Sequence, residues 1–489
     1  MKIATSSYPS FEAFVFRKHR TIIWLGTIYL LIQFIIFKSL YPFASFIPDS
    51  YGYLEAAETN AGIHVWPIGY SKFLQFLHAF TTSDTALVFV QYILLEAAAL
   101  YLTFTLLYIM NSGKLVAYTL LLFFVVNPLL LWISNYVSSD ALFTILSLVW
   151  IVQLLWILHR PRQYHIWLQA LVLILAFTVR YNALYYPFIA IAVTLAARIS
   201  FVLKAKNIGI SILLIVAFIW YNCDKYKEMT GEREFSAFSG WQIASNALFM
   251  YSRLQNDDNP PPQFNVLHQI TLKHIDSLRR LRNRPDSLLG VYYLWNKKAP
   301  LQQYMENKWG QGINSAKNFK EWASMCKFYT AYGTYLIQKH PLSYAKYYLW
   351  PNVINYYIPP IEILDHYNIE GDHVRPLAQS WFKYPDNQVR GFTKEIKILR
   401  WHPILVTLAN CIFLYSAIML IAFGKLKQAN YSFKTTFFLI IGVWLSNFSF
   451  SILASPIVLR YQLFSMMLFF SYGIILLEYI VKNGDSSEN

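Results

Sequence analysis

The feature that most constrains this chain is a succession of apolar runs close to 20 residues long, because the hydrocarbon core of a bilayer takes a helix of about that length. The runs are Thr21–Phe37, Ala86–Met110, Leu115–Ile133 and Ala141–Leu158, then a shorter pair, Ile166–Thr178 and Ala183–Ala197, then Ile208–Trp220. A long polar stretch follows, and Pro403–Phe423, Thr436–Leu453 and Ile457–Ile480 close the series. The pattern predicts an all-α polytopic membrane protein with about ten transmembrane helices. It divides the chain into a transmembrane module over 1–222, a large, mainly helical outer domain over 223–401 and a three-span module over 402–489.

Composition agrees. Only 14% of the 489 residues are charged, against about a quarter in a soluble domain. Aromatics reach 18%, which suits a protein that anchors its helices at the headgroup level. The formal net charge of +15 does not call for nucleic acid, since Lys and Arg cluster beside the apolar runs, where membrane lipids are their natural partners. Cys223, Cys326 and Cys411 show no metal-binding spacing; Cys223 and Cys326 can pair only if both face an oxidising compartment. Arg17, Lys18, His19 and Arg20 precede a first run without a small-residue cleavage site, so that run reads as a retained helix rather than a signal peptide.

The basic short loops set the expected orientation. Lys114, then Arg160 and Arg162, then Arg198, Lys204 and Lys206, then Lys425, Lys427 and Lys434 all fall on one side, and the alternate short loops are poor in Lys and Arg. By the positive-inside rule both termini are cytoplasmic and the 223–401 segment lies outside. That segment has no Asn-x-Ser/Thr sequon, which points toward a bacterial inner membrane. The Tyr344–Tyr357 stretch, crowded with Tyr347, Tyr348, Trp350, Tyr356 and Tyr357, is expected along the outer membrane surface.

Ionisable residues at span ends are the place to look for chemistry. Asp49, Asp140, Arg180 and Arg460 all fall on the expected outer side. Each has a simpler structural reading. Asp140, Asp84 and Asp49 stand where helix caps stand, and the two arginines can reach to the headgroups along their own aliphatic stems. Yet Arg180 and Arg460 break apolar runs and are each followed by Tyr, and a guanidinium there can hold a phosphate by two parallel hydrogen bonds.

In order, Asp49-Ser-x-x-Tyr53-Leu54, Trp66-Pro67-Ile68-Gly69-Tyr70, Asn127-Pro128, Ser139-Asp140-Ala141-Leu142-Phe143, Arg180-Tyr181-Asn182 and Arg460-Tyr461 resemble the GT-C superfamily of membrane glycosyltransferases. That group includes protein O-mannosyltransferases and the bacterial enzyme that adds aminoarabinose to lipid A. The likeness covers the first ~200 residues and the last two spans; the 223–401 segment lies outside it. The resemblance implies a catalytic acid at Asp49, a second acidic position at Asp140, and a sugar donor linked to polyprenyl phosphate. Where the O-mannosyltransferases carry adjacent acids, this chain has Asp49-Ser50.

The expected function is therefore sugar transfer from a polyprenyl-phosphate donor to a lipid, glycan or protein acceptor on the outer face. Arg180 and Arg460 would bind the lipid phosphate, and Asp49 would act as general base. Asp140 would position Asp49's partners or help Asp49 hold a divalent cation. Tyr53, Trp66, Tyr70, Tyr181 and Tyr461 are the expected sugar or lipid contacts. Two other readings stay open. An oligosaccharide polymerase or ligase acting on diphosphate-linked glycans would find a use for Arg279, Arg280, Arg282 and Arg284. A transporter would instead show internal repeats or broken midplane helices, and none is visible in the sequence.

Overall fold

The computed structural model describes residues 10–255, 258–280, 289–312, 318–360, 371–392 and 401–483. The helices that matter below, in chain order, are α1 (Arg20–Leu40), α2 (Pro48–Glu58), α3 (Gly69–His78), α4 (Asp84–Met110), α5 (Lys114–Val125), α6 (Pro128–Asn135), α7 (Ser139–His159), α8 (Gln163–Val179), α9 (Tyr186–Ala196) and α10 (Phe201–Thr230). They continue as α11 (Ala237–Tyr251), α12 (Cys326–Lys339), α13 (Trp350–Tyr357), α14 (Pro376–Phe382), α15 (His402–Ala422), α16 (Tyr431–Ala454) and α17 (Leu463–Lys482). No strand occurs among the described residues, only two isolated bridges. Among the described residues, eight helical segments are long and apolar enough to cross a membrane, and two shorter apolar helices, Gln163–Val179 and Tyr181–Ala196, fall on the expected hairpin pair. The chain is thus an all-α multi-pass membrane protein.

The third apolar run is bent where its sequence requires it. Pro128 cannot donate to the preceding turn, so α5 ends and α6 begins there. Asn127 caps the restart, its Oδ1 accepting from the Leu129 amide at 3.1 Å and lying 3.0 Å from the His402 ring Nε2 at the start of α15. α7 is the most enclosed span and packs against α4 and α8. α15 lies against α17 where Gly473 permits it: a Cβ there would stand 3.1 Å from the Phe413 backbone. Small residues at such crossings let membrane helices approach closely.

Beyond the bundle stands a second hydrophobic core. Trp241 of α11 stacks on Trp322 with ring centroids 5.1 Å apart, and its Nε1 donates to the Trp322 carbonyl at 3.0 Å. α11 and α12 cross closely because Gly240 faces the Cys326 carbonyl and Gly333 faces Ala244. This core draws on residues from Tyr226 to Tyr348, together with Val65 of the first interhelical loop. The expected 223–401 unit is therefore divided. Its first part has this core, whereas Val374, Ala378, Phe382 and Val389 belong to the core of the bundle. α10 also runs unbroken through the expected boundary at 222/223.

Two further points concern the cysteines and the aromatic stretch. All three cysteines are free, so Cys223 and Cys326 do not pair; Cys326 is buried against the Ser236 carbonyl, and burial pushes its thiol up to about 11. The Tyr344–Tyr357 stretch presents one face to the bundle. Tyr356 donates to Asn447 Oδ1 at 2.8 Å and Asn352 to the Ile452 carbonyl at 3.2 Å, both on α16, while Trp350 stays exposed.

Candidate functional site

The site forms at the end of the bundle that carries the second core, where α7 begins, α8 ends and the short 3₁₀ turn Leu459–Gln462 leads into α17. The start of α7 sets its geometry. Ser138 is extended at the N-cap, and its Oγ donates to Asp140 Oδ2 at 2.9 Å. The Asp140 carboxylate then receives two guanidinium groups: Arg180 Nη1 on Oδ1, and Arg460 Nη1 on Oδ2 at 3.0 Å. The Asp140 side chain is 2% exposed and each arginine 14%. These three groups alone carry a formal charge of +1, with the Asp49 carboxylate in the same electrostatic neighbourhood.

The simpler readings of these residues are thereby corrected. Ser138, not Asp140, holds the N-cap position of α7. Arg180 and Arg460 do not reach away to the headgroups; both turn inward onto one carboxylate. Asp84 is not a cap either, since Ser83 caps α4 by accepting from the Ala86 amide. The Asp84 carboxylate instead accepts from the Ala44 amide at 2.7 Å and the Tyr384 hydroxyl at 2.8 Å. It therefore ties the first interhelical loop to the returning segment 371–392. At α2, Ile47 is the N-cap, Pro48 opens the helix and Ser50 Oγ accepts from the Ile47 amide at 3.0 Å. Asp49 stands in the first turn, half-buried.

The aromatic residues sort themselves by contact. The Arg180 guanidinium lies over the Tyr461 ring at 4.4 Å, a cation–π contact that fixes the plane of the fork. Tyr53 is buried, with its hydroxyl 2.8 Å from Ser139 Oγ. Burial holds the Tyr53 phenol well above its usual range, with the Arg180 charge acting against this and the Asp49 charge with it. Asp49, Arg180, Tyr53 and Tyr461 thus share one electrostatic neighbourhood. Trp66 is half-buried, its ring 6.4 Å from Tyr53 and 4.9 Å from Phe238. Two expected contacts are structural instead. Tyr70 is fully buried and donates to Gln91, which ties the loop to the Ser134 carbonyl. Tyr181 packs on Phe177 and Phe235 and accepts from Asn222 Nδ2.

Several neighbours escaped sequence reasoning. His64, two residues before Trp66-Pro67, has an imidazole 8% exposed, with Nε2 3.8 Å from Glu55 Oε2. Phe319 stacks on it at 5.3 Å, and burial pushes the ring down to about 4. Trp295 and Phe238 extend the aromatic wall around Trp66. Gly52 makes room for that wall, since a Cβ there would meet Trp66 at 3.2 Å and His64 at 3.6 Å. Arg375 lies over the Tyr51 ring at 4.3 Å. The proximity of Trp66-Pro67 to the first-loop acid was the one available signal for His64; nothing local marked the residues of the second core.

The Asp49–Asp140 pair is poorly suited to a divalent cation. Both Asp140 oxygens accept from guanidinium groups, so a dication there would meet two positive charges. Among the described residues no group of three or more His, Cys, Asp and Glu side chains comes together. Of the arginine cluster in the second core, Arg279 donates to Asp276 at 3.2 Å, while Arg282 and Arg284 lie outside the described residues. Compared with known proteins, the chain matches no family model, and no curated protein or solved structure is significantly similar to it.

Proposed function

We propose that this chain is a membrane glycosyltransferase of the GT-C kind, transferring a sugar from a polyprenyl-phosphate-linked donor to an acceptor at the outer end of its helix bundle. The observation that carries this reading is the Arg180–Asp140–Arg460 trio. Asp140 accepts a bond from each arginine, and each guanidinium has five N–H donors in a rigid fork. Two such forks converging at one carboxylate suit the oxygens of a phosphate. Asp140 in this reading is a positioning residue.

The chemistry follows by class. The bond between the sugar's anomeric carbon and the phosphate oxygen breaks, and a bond from the acceptor oxygen to that carbon forms. The acceptor's proton passes to the Asp49 carboxylate, and the departing lipid phosphate keeps the electron pair, its charge stabilised by Arg180 and Arg460. If the acceptor is already an anion, Asp49 orients it instead. Trp66, with Phe238 and Trp295, offers an apolar wall for a sugar face. The reading also places both termini in the cytoplasm and the second core outside a bacterial inner membrane.

The test is transfer from radiolabelled polyprenyl-phosphate sugar by purified protein in detergent, set beside uptake of the free sugar into proteoliposomes. Asp49→Asn keeps size and helix-start chemistry but removes the base. We expect it to lower transfer by about 10²–10⁴-fold at an unchanged melting temperature. Transfer within threefold of wild type removes Asp49 from the chemistry. Uptake without transfer replaces the enzyme reading with a transporter.

A further inference from the structure

At the opposite end of the bundle, a groove of about 290 Å³ opens between α7, α9 and α16. Leu158, Ile189, Val193, Ala196, Phe438 and Gly442 line it, and Thr435 is its polar residue. Gly442 creates much of the space: a Cβ there would meet only Ile189 Cδ1, at 3.7 Å. The volume lies at the lower end of the range that holds small ligands, ~300–1,000 Å³. In a bilayer such an apolar slot is filled by hydrocarbon.

The mouth of the groove gives the chemistry of the occupant. Ala196 ends α9, and its carbonyl accepts from the Tyr431 hydroxyl at 3.4 Å. The Arg198 guanidinium lies 4.0 Å over the same Tyr431 ring. Lys204 Nζ donates to the Leu195 carbonyl at 2.6 Å, one residue from the lining, and Lys434 adjoins Thr435 and donates to the Lys427 carbonyl at 2.7 Å. Three cations thus stand at one end of an apolar slot. Among the described residues none of the three forms an ion pair with a carboxylate.

We propose that this groove is a binding site for an anionic phospholipid, with one acyl chain between α9 and α16 and the headgroup phosphate among Arg198, Lys204 and Lys434. The site is separate from the Arg180–Asp140–Arg460 trio. α7 and α9 start near the trio and end at the groove mouth, while α16 starts at the mouth and ends beside the Leu459–Gln462 turn. A bound lipid would hold α9, and with it the Arg180–Tyr185 turn, against α16. The proposal does not rest on the glycosyltransferase reading, because it needs only a bilayer and the charges at the mouth.

Native mass spectrometry of the full-length protein, titrated with phosphatidylglycerol or with phosphatidylcholine of the same acyl chains, tests it. Cations at a membrane surface contribute roughly fivefold each in affinity for anionic lipid. Wild type should hold one phosphatidylglycerol more tightly than phosphatidylcholine. Replacing Arg198, Lys204 and Lys434 together by Ala should weaken that binding about a hundredfold and erase the preference. Gly442→Leu, which fills the slot and leaves the charges, should weaken both lipids and serves if the triple variant fails to fold. Equal retention of both lipids by wild type, or a preference that survives both variants, overturns the site. Displacement of phosphatidylglycerol one-for-one by polyprenyl phosphate, abolished in the triple variant, would assign the groove to the polyprenyl lipid and refute the phospholipid.

Discussion

If Asp140 is the electrostatic keystone of its cluster, neutralising it should destabilise the protein more than removing one of its arginines. Asp140→Asn keeps the shape but removes the carboxylate that both guanidinium groups, each only 14% exposed, bond to. Counting only these three groups, the charge rises from +1 to +2. Removing one partner of a buried ion pair costs about 3–5 kcal/mol. Arg180→Gln leaves Asp140 paired with Arg460 and a local charge of zero, so it forfeits one charged hydrogen bond, about 1.5–3 kcal/mol. The double variant Asp140→Asn/Arg180→Gln returns the local charge to +1. It should be no worse than Asp140→Asn alone, a coupling as large as the Arg180→Gln cost itself, about 1.5–3 kcal/mol, at the upper end of what adjacent residues show. Unfolding of a polytopic chain in micelles is read as a rate. The assay is therefore the rate of loss of tryptophan fluorescence at one temperature for all four proteins, with every 1.4 kcal/mol of barrier worth tenfold. Additive effects, or an Asp140→Asn protein as long-lived as wild type, would show that the trio is not coupled and would remove the positioning role.

Three further outcomes follow from the same geometry. Burial holds His64 down to about 4, so the unfolded chain takes up this proton first. The stability due to the neutral ring is present above about pH 6.5 and is lost toward pH 4, at up to about 1.4 kcal/mol per pH unit. His64→Gln should flatten that fall in a melting series from pH 7 to 4.5. Glu55, raised by burial and by Glu58, acts in the opposite sense in both proteins, so an unchanged slope would contradict the assignment. Gly69→Ala should cost about 1–3 kcal/mol and weaken transfer as well, because the new methyl would stand 2.7 Å from the Thr178 carbonyl, two residues before Arg180; a neutral substitution would mean that α3 and α8 are looser than described. A reporter fused after Lys320 should be active outside the cytoplasm and one after Lys427 inside, and the reverse pattern would move the site to the cytosolic face.

How much of this was legible in the sequence depends on the range over which each feature is encoded. The apolar runs were readable because each is local, but Leu115–Ile133 read as one helix and breaks before Pro128, which has no N–H to donate. The division of the 223–401 segment was not. The residues that return Val374, Ala378 and Phe382 to the bundle are amphipathic like any surface helix, and distant partners, Asp84 for Tyr384 and the Tyr51 ring for Arg375, say which surface they meet. Asp84 shows the same limit at finer scale. Ser83 and Asp84 are both good caps by type, and a partner 300 residues away decided which one capped.

Asp140, Arg180 and Arg460 were each identifiable as ionisable residues at the ends of apolar runs, yet their pairing was invisible, since 40 and 320 residues separate the partners. The pairing changes what the arginines can do. A solitary interfacial arginine keeps its rotamer freedom and gives part of it up whenever it binds a ligand. Arg180 has already given it up, held by Asp140 on one side and by the Tyr461 ring at 4.4 Å on the other. Burying a carboxylate between two guanidinium groups is a poor way to gain stability, since apolar packing does as well without the desolvation cost. It is an effective way to hold two forks at fixed angles. Aromatic residues were the least legible for the opposite reason. Tyr53, Tyr70, Tyr181 and Tyr461 look alike in sequence, but Tyr70 spends its hydroxyl on Gln91 inside the core, whereas Tyr461 lies beneath Arg180. Side-chain type marks an aromatic as amphipathic; the helix phase and the partner across the packing decide whether it braces the fold or borders the site.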